Sequence, residues 1–110
     1  MVLQFKIKGD YVVIYLSGRI DVRRSAEVES QANQLIAKNP DKNFLLNIGD
    51  VEYMSSSGLR VFVSLMRHLK EKRRHLKLCN LSKSVQKVFE VVELTDMFEI
   101  VESEEDAINA

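Results

Sequence analysis

Strand-like and helix-like segments alternate along most of this chain, and that order limits the possible folds more than any other feature of the sequence. Apolar and polar residues alternate over 3–8, Gly9-Asp10 then suits a tight turn, and residues 11–16 form a continuous apolar run. Alternation is typical of a strand with one face in water, whereas a short continuous run is typical of a strand covered on both faces. The sequence therefore predicts an edge strand joined by a hairpin turn to an internal strand.

Two helix-like segments and another buried strand occupy the next part of the chain. Apolar residues recur at helical spacing between 22 and 38, and Asn39-Pro40 ends that segment. Residues 44–48 form a further apolar run, and we expect a loop through Gly49-Asp50 to follow it. The helical period then returns and predicts a helix that ends near Arg74, with a core stripe of Leu59, Phe62, Val63, Met66 and Leu69.

Shorter segments complete the pattern. Residues 76–79 indicate a strand, Ser82 suits the cap of a helix over 83–92, and 98–101 indicate a last strand before a short helix capped by Ser103. The element order is therefore β-β-α-β-α-β-α-β-α, and right-handed crossovers predict an α/β fold with a mostly parallel mixed sheet and alternating helices. Because the 110 residues contain no internal repeat and no Pro/Gly-rich linker, we expect residues 1–110 to form a single domain.

Charge and cysteine content argue against several classes of function. The 16 basic and 16 acidic residues sum to a net charge of zero, which supplies no general attraction to nucleic acid or to an anionic membrane. We see no export signal and no apolar stretch long enough for membrane insertion. The single Cys79, beside Leu78, is expected to be a small buried hydrophobe, so we predict a cytoplasmic protein without a disulfide, metal or cofactor.

The charges are nevertheless unevenly distributed. Residues 90–106 are mainly acidic, and a basic cluster precedes them, formed by Arg60, Arg67, Lys70, Lys72, Arg73, Arg74 and Lys77. The tract 70–75 has the composition of a nucleic-acid patch, but cations in the last turn of a helix also stabilise the negative end of the helix dipole, and we favour that interpretation. Such a charge dipole would orient a protein partner during encounter.

The run Ser55-Ser56-Ser57-Gly58 follows a buried strand and precedes a helix. Connections at the carboxyl ends of strands are where open α/β sheets meet ligands and partners. A serine at a helix start is also a common structural cap, which explains one serine but not three before a glycine, so the chemistry alone leaves both interpretations open. The chain has neither a Gly-x-Ser-x-Gly elbow nor a phosphate-binding glycine loop, so we expect a binding module without catalytic residues, and not an enzyme.

Several segments resemble the anti-sigma factor antagonists of the STAS domain family. Residues 53–61 (YMSSSGLRV), preceded by 44–48 (FLLNI), resemble the family's signature segment. Residues 18–21 match its Gly-x-hydrophobic-Asp turn, and 94–98 resemble its late segment before the last strand. The signature usually reads hydrophobic-Asp-Ser-Ser/Ala-Gly-Leu, so Ser56 stands at the first serine and Ser55 at the aspartate. Arg60 also stands where the family commonly has a small residue.

This resemblance implies transcription regulation by partner switching. In the family, a partner that is both anti-sigma factor and ATP-dependent serine kinase phosphorylates the serine that corresponds to Ser56, and a separate phosphatase removes the phosphate. The unphosphorylated antagonist binds the anti-sigma factor, which releases the sigma factor, and phosphorylation ends that binding. The replacement of the aspartate by Ser55 leaves one alternative open, a non-phosphorylated STAS subunit of a signalling scaffold or a lipid-transport complex.

The resemblance and the helical wheel together define a predicted partner-binding surface. Asp21 is expected both to line this surface and to cap the first helix. Arg60, Val61 and Ser64 fall away from the core stripe of the second helix, together with Arg67 and His68, although an ordinary solvated helix face has the same pattern. The predicted phosphorylation site is Ser56, and the predicted partner-binding residues are Asp21, Ser55, Ser56, Ser57, Gly58, Arg60, Val61 and Ser64.

Overall fold

The computed structural model describes residues 3–109, in which strands and helices follow one another in the predicted order. The strands are β1 (Gln4–Lys8), β2 (Tyr11–Ile20), β3 (Asn43–Met54), β4 (Leu76–Cys79) and β5 (Glu99–Val101). The helices are α1 (Val22–Lys38), α2 (Ser56–Glu71), α3 (Lys83–Val91) and α4 (Glu104–Ile108), and a 3₁₀ turn at Thr95–Met97 precedes β5.

The strands form one mixed sheet whose spatial order, β1-β2-β3-β4-β5, follows the order of the sequence. β1 is antiparallel to β2 across a tight turn in which Gly9 has φ +57°, and the other neighbours are parallel. Because each crossover steps in the same direction, right-handed connections place α1, α2 and α3 on one face of the sheet. The predicted α/β class, mixed sheet and element order are confirmed.

Apolar clusters fill both faces of this sheet. The larger cluster lies between the sheet and the helices α1, α2 and α3, and it contains the fully buried rings of Phe44, Phe62 and Phe89. The smaller cluster lies under α4 on the opposite face and is formed by Tyr11, Val13, Leu45, Cys79 and Ala107. Burial, with a smaller contribution from the Glu104 carboxylate, raises the pKa of the Cys79 thiol to about 12, so Cys79 is the small buried hydrophobe that was predicted.

The ends of β2 and β3 are longer than predicted. The sequence predicts a loop after residue 48, but residues 49–54 continue β3 and pair with the end of β2. β2 continues to Ile20 through two shifts of register, with Gly18 at φ +75°, and Ile20 pairs with Met54. β4 pairs with β3 only as far as Asn47. The ends of β2 and β3 therefore project together beyond the rest of the sheet and bring the connections that follow them to one edge.

The predicted helix caps Ser82 and Ser103 are confirmed. The Ser82 hydroxyl oxygen accepts a hydrogen bond from the backbone N–H of Val85, and Ser103 does the same for Asp106. α2 ends at Glu71, before the predicted Arg74, because the backbone N–H groups of Lys72 and Arg74 both donate to the Leu69 carbonyl.

β1 is an edge strand, as predicted, but its apolar face is poorly covered. Phe5 pairs with Ile14 and Ile7 with Val12, so both side chains point toward the helical layer. Phe5 is nevertheless 44% exposed and Ile7 54% exposed, because the helices leave this edge of the sheet uncovered.

Candidate functional site

Ser55 is a structural residue at the start of α2. Its hydroxyl oxygen accepts a hydrogen bond from the backbone N–H of Gly58 at 3.1 Å, and its own N–H donates to the Ile20 carbonyl at 3.0 Å. The residue is 8% exposed. Ser55 therefore caps α2 and joins it to the end of β2, and its burial leaves little of it for a partner to contact.

Ser56 is the first residue of α2, and it is the exposed member of the three serines, since Ser57 is half-buried. It lies at the positive end of the helix dipole, where α2 has no acidic residue in its first turn. A hydroxyl in this position is accessible to a large partner while the residues on both sides of it are held by the fold. The predicted phosphoacceptor is thus at the surface.

Gly58 allows the first turn of α2 to lie close against the projecting strands. A Cβ atom at this position would lie 2.5 Å from the Met54 sulfur and 2.9 Å from the Ile20 Cγ2. These two nearest atoms belong to buried side chains of β2 and β3, and the backbone carbonyl oxygen of Ile20 follows at 3.5 Å. Gly58 is itself buried. Its lack of a side chain therefore lets the serine turn, residues 55–58, pack against Ile20 and Met54.

Asp21 lies beside the serine turn. Its carboxylate caps α1 by accepting a hydrogen bond from the backbone N–H of Arg24 at 2.9 Å, and its side chain is exposed. The bond between the Ser55 N–H and the carbonyl of Ile20, the residue before Asp21, holds the two connections together. The structure therefore brings Asp21 and Ser56 to the same edge, as predicted.

Along α2, two of the three predicted surface residues are exposed and one is not. Arg60 and Ser64 are exposed, as is Arg67, and His68 is half-buried. Val61 is only 7% exposed and belongs to the main apolar cluster, so its predicted place on the outer face of the helix is wrong. The reason is that α2 packs against α1 as well as against the sheet. Its buried face is therefore wider than that of a helix that packs against a sheet alone.

Three further residues at this edge were missed by the sequence analysis. Val22, the first residue of α1, is 70% exposed, and Tyr53, near the end of β3, is 42% exposed. The Arg19 guanidinium carbon lies 4.4 Å from the centre of the Tyr53 ring. The available signal was that Val22 directly follows the Asp21 cap and that Tyr53 stands two residues before the Ser55 cap.

Residues 3–109, the part of the chain that the structure describes, lack two further features. Within that range, no three His, Cys, Asp or Glu side chains are grouped so that they could hold a metal ion. None of its helices is both long enough and apolar enough to cross a membrane.

Comparisons with known proteins point to one family. A STAS domain profile matches residues 3–107. The anti-sigma-B factor antagonist of Listeria monocytogenes serovar 1/2a is 31% identical over 103 residues, which cover 92% of this chain and 90% of that protein. The solved structure of the anti-sigma factor antagonist SpoIIAA in its unphosphorylated form is similar with a TM-score of 0.82 at 26% identity, over 98% of this chain and 94% of that one. The phosphorylated form of Bacillus SpoIIAA is similar with a TM-score of 0.74 at 25% identity, over 98% and 97%.

Proposed function

This chain belongs to the STAS domain family, and from that premise we propose that it is an anti-sigma factor antagonist controlled by phosphorylation of Ser56. In this cycle, the unmodified protein binds an anti-sigma factor that is also a serine kinase, and the sigma factor is released for transcription. The kinase transfers the γ-phosphoryl group of ATP to the Ser56 hydroxyl, and a phosphatase later hydrolyses the phosphoserine. The chain contributes the acceptor and a binding surface in the cytoplasm, and no catalysis of its own.

The observation that carries this proposal is the contrast between Ser55 and Ser56. Ser55 is buried and its hydroxyl oxygen is used as a helix cap, whereas Ser56 is exposed at the next position of the same hydrogen-bonded turn. A kinase needs an acceptor hydroxyl that it can reach without unfolding its substrate. Support also comes from the solved relative SpoIIAA, which has both an unphosphorylated and a phosphorylated form.

Phosphorylation of Ser56 would change binding much more than folding. A phosphoserine places about −1.5 to −2 charges where a neutral hydroxyl stood. Burying that charge against a partner without compensation costs several kcal/mol, and a penalty of roughly 4 kcal/mol weakens binding about a thousandfold. In the free protein the phosphate remains in water at the positive end of α2, which stabilises it by about 0.3–1 kcal/mol. The modified chain therefore stays folded and loses its partner.

The phosphorylation site is tested by incubating the purified chain with ATP and each candidate anti-sigma factor kinase of its source organism, followed by peptide mapping. We expect phosphate on Ser56 and none on the Ser56→Ala variant. Ser55→Ala and Ser57→Ala serve as matched controls and should still be phosphorylated. Phosphate confined to Ser55 or Ser57 would contradict the assignment of the acceptor.

The second candidate is a constitutive STAS subunit of a signalling scaffold or a lipid-transport complex. It is favoured by one feature, the neutral Ser55 at the position where the family usually has aspartate. The same incubation separates the two functions. Tight binding to a non-sigma assembly, with no phosphate transfer from any serine kinase partner, would support the constitutive subunit.

A further inference from the structure

We propose that a cavity at the amino ends of the parallel strands binds a small zwitterion, a molecule with one carboxylate and one ammonium group, as in free α-amino acids. The cavity measures about 420 Å³, which is within the range of small-molecule sites. The polar side chains that line it are Asp10, Tyr11, Asn43, His75, Lys77 and Glu99. This site is independent of the proposed function, and its ligand binds the chain without a protein partner.

The cavity lies at the opposite end of the sheet from the serine turn. Asn43 is the first residue of β3 and Met54 is the last, and the strand has 12 residues. At about 3.3 Å per residue, and somewhat less where a strand twists, the two ends of β3 are roughly 30 Å apart. A ligand in the cavity is therefore well separated from Ser56.

Side chains from four neighbouring strands form the floor of the cavity. Tyr11 and Leu45 belong to the smaller apolar cluster under α4. Lys77 pairs with Leu45 on one side and with Glu99 on the other, so the three side chains share that face of the sheet. Asn43 stands two residues before Leu45 and therefore points to the same face. The floor is thus a row of polar side chains beside the end of α4.

Lys77 brings a buried charge to this row. It is only 8% exposed, and its ammonium donates to the Ala107 carbonyl at 3.0 Å and lies 5.4 Å from the centre of the Tyr11 ring. Neither of the ion pairs found within residues 3–109 includes it. Buried lysines are ordinarily paired with an opposite charge, and an ammonium has three N–H donors. Two donors of Lys77 therefore remain for the carboxylate of a ligand.

Asn43 and Glu99 supply groups on either side of Lys77. The Asn43 Oδ1 accepts a hydrogen bond from the backbone N–H of His75 at 2.9 Å, which leaves the amide NH₂ as a further donor for a carboxylate. One oxygen of Glu99 contacts the His75 Nδ1 at 2.9 Å, and the described chain gives the other oxygen no partner. Asp10 adds a second carboxylate to the lining. The two carboxylates are acceptors for an ammonium group.

This mixture of charges determines the class of ligand. A simple anion such as phosphate meets the like charges of Asp10 and Glu99, and a simple cation meets the like charge of Lys77. A molecule that carries both charges satisfies both sets of groups at once. Half-buried Ile108 of α4 also lines the cavity, so a small apolar side chain of the ligand has a contact there.

The test is an NMR titration of the ¹⁵N-labelled chain with each of the twenty standard amino acids, and with acetate, methylammonium and inorganic phosphate as probes of a single kind of charge. We expect at least one amino acid to shift the amide signals of residues 9–11, 43, 75–77 and 99 saturably, with a Kd below about 1 mM. The signals of residues 55–58 should not move. The three other probes should bind at least about tenfold more weakly, because each satisfies only one half of the site.

Three substitutions and one control locate the ligand. Lys77→Met removes the ammonium and keeps an apolar stem, Asn43→Asp keeps the Oδ1 acceptor and removes the NH₂ donors, and Glu99→Gln removes a carboxylate charge. Each should weaken binding of the best amino acid at least about tenfold, because hydrogen bonds to charged groups are the strong ones. Glu52→Gln changes an exposed glutamate of β3 outside the cavity and should bind within about twofold of the wild type.

Several results would overturn the proposal. It is wrong if no amino acid binds with a Kd below about 1 mM. It is also wrong if acetate or phosphate binds as tightly as the best amino acid, since the cavity is then a simple anion site. Lys77 also holds the Ala107 carbonyl, so if Lys77→Met is unfolded in urea titrations, Asn43→Asp and Glu99→Gln decide, and full affinity of both contradicts the site. None of these outcomes bears on the phosphorylation of Ser56.

Discussion

Ser55 and Ser56 are adjacent, but the fold gives them opposite roles. The backbone of Ser55 is bonded to Ile20, and its hydroxyl oxygen is occupied by the Gly58 N–H, so Ser55 turns inward. Ser56 is then the first residue of α2 and faces water. The aspartate that is common at the first of these positions in the family would make the same cap with an added charge. This chain keeps the cap with a neutral residue.

The capping role predicts a specific loss of stability. Ser55→Ala removes the acceptor of the Gly58 N–H, and losing an N-cap typically costs about 1 kcal/mol, so the free energy of unfolding should fall by about that amount in urea titrations. Ser64→Ala, on the exposed side of the same helix, is the control and should change it by less than about 0.5 kcal/mol. Equal stability of the wild type and Ser55→Ala would mean that the hydroxyl does not stabilise α2.

The position of the serine turn could be predicted from the sequence, but which of its serines is buried could not. Three serines before a glycine, between a strand pattern and a helix pattern, indicate a helix start from local sequence alone. Which serine is buried depends on Ile20, whose carbonyl comes from a strand far away in sequence. Val61 was misplaced for a similar reason, because a helical wheel of α2 carries no information about α1 packing against it.

Among the elements, the extended ends of β2 and β3 determine where the site lies. The order and approximate bounds of the strands and helices could be predicted, because periodicity and capping are local. Gly49-Asp50 is a turn signal in sequence, yet Val51 and Met54 are buried, and pairing with residues 17–20 of β2 keeps the segment extended. Tertiary pairing thus outweighs the local signal, and it carries Asp21 and Ser56 past the end of β4.

α4 is held to the opposite face by Glu104. One oxygen of this carboxylate accepts hydrogen bonds from the Lys8 ammonium at 2.6 Å and the Tyr15 hydroxyl at 3.0 Å, and the other accepts one from the Asn47 amide at 2.7 Å. Burial by itself raises the pKa of Glu104, but the hydrogen bonds from Lys8, Asn47 and Tyr15 together outweigh it and leave the pKa below its ordinary value of 4.5. A single carboxylate therefore joins α4 to three strands.

This lowered pKa predicts a pH-dependent contribution to stability. A carboxyl whose pKa is lower in the folded protein stabilises the fold above its unfolded pKa, and the contribution is lost as the pH falls through the folded pKa. Near neutral pH, Glu104→Gln should therefore lower the free energy of unfolding by about 1–3 kcal/mol, with a smaller difference in acid below pH 4.5. The neighbouring, exposed Glu105→Gln is the control. A difference that stays constant with pH would show that the charge of Glu104 is not what holds α4.

Over the whole molecule, the basic cluster seen in the sequence has two parts. Arg74 donates to the backbone carbonyls of Lys42 and Asn39, and Lys77 is buried and donates to the Ala107 carbonyl, so both stabilise the fold. The exposed basic residues of the cluster are Arg60, Arg67, Lys70, Lys72 and Arg73. The exposed acidic residues of the later segment include Glu90, Glu93, Asp96, Glu99 and Glu102. Fewer cations of the cluster are exposed than the sequence suggested, and Lys70 and Arg73 line one cavity with Glu99, so the charge dipole stays a prediction.

The charge dipole predicts that salt slows association. Separated charges steer a partner during encounter, and salt screens them over about 10 Å at 0.1 M ionic strength. The association rate constant with the anti-sigma factor kinase, measured by stopped-flow fluorescence, should fall as ionic strength rises, with a smaller change in the dissociation rate. Duplex DNA should bind poorly at physiological salt, because the net charge of the chain is zero. A salt-independent association rate, or tight DNA binding, would contradict this interpretation.

The central claim, that phosphate on Ser56 switches partner binding, is tested most directly by one calorimetric comparison. The affinity of the anti-sigma factor kinase is measured for the unmodified chain and for the chain phosphorylated at Ser56, with Ser56→Ala carried through the same kinase reaction as the control. We predict that the phosphorylated chain binds roughly a thousandfold more weakly with its circular dichroism unchanged, and that Ser56→Ala binds equally well before and after the reaction. Equal affinity of the phosphorylated and unmodified chains would contradict the account.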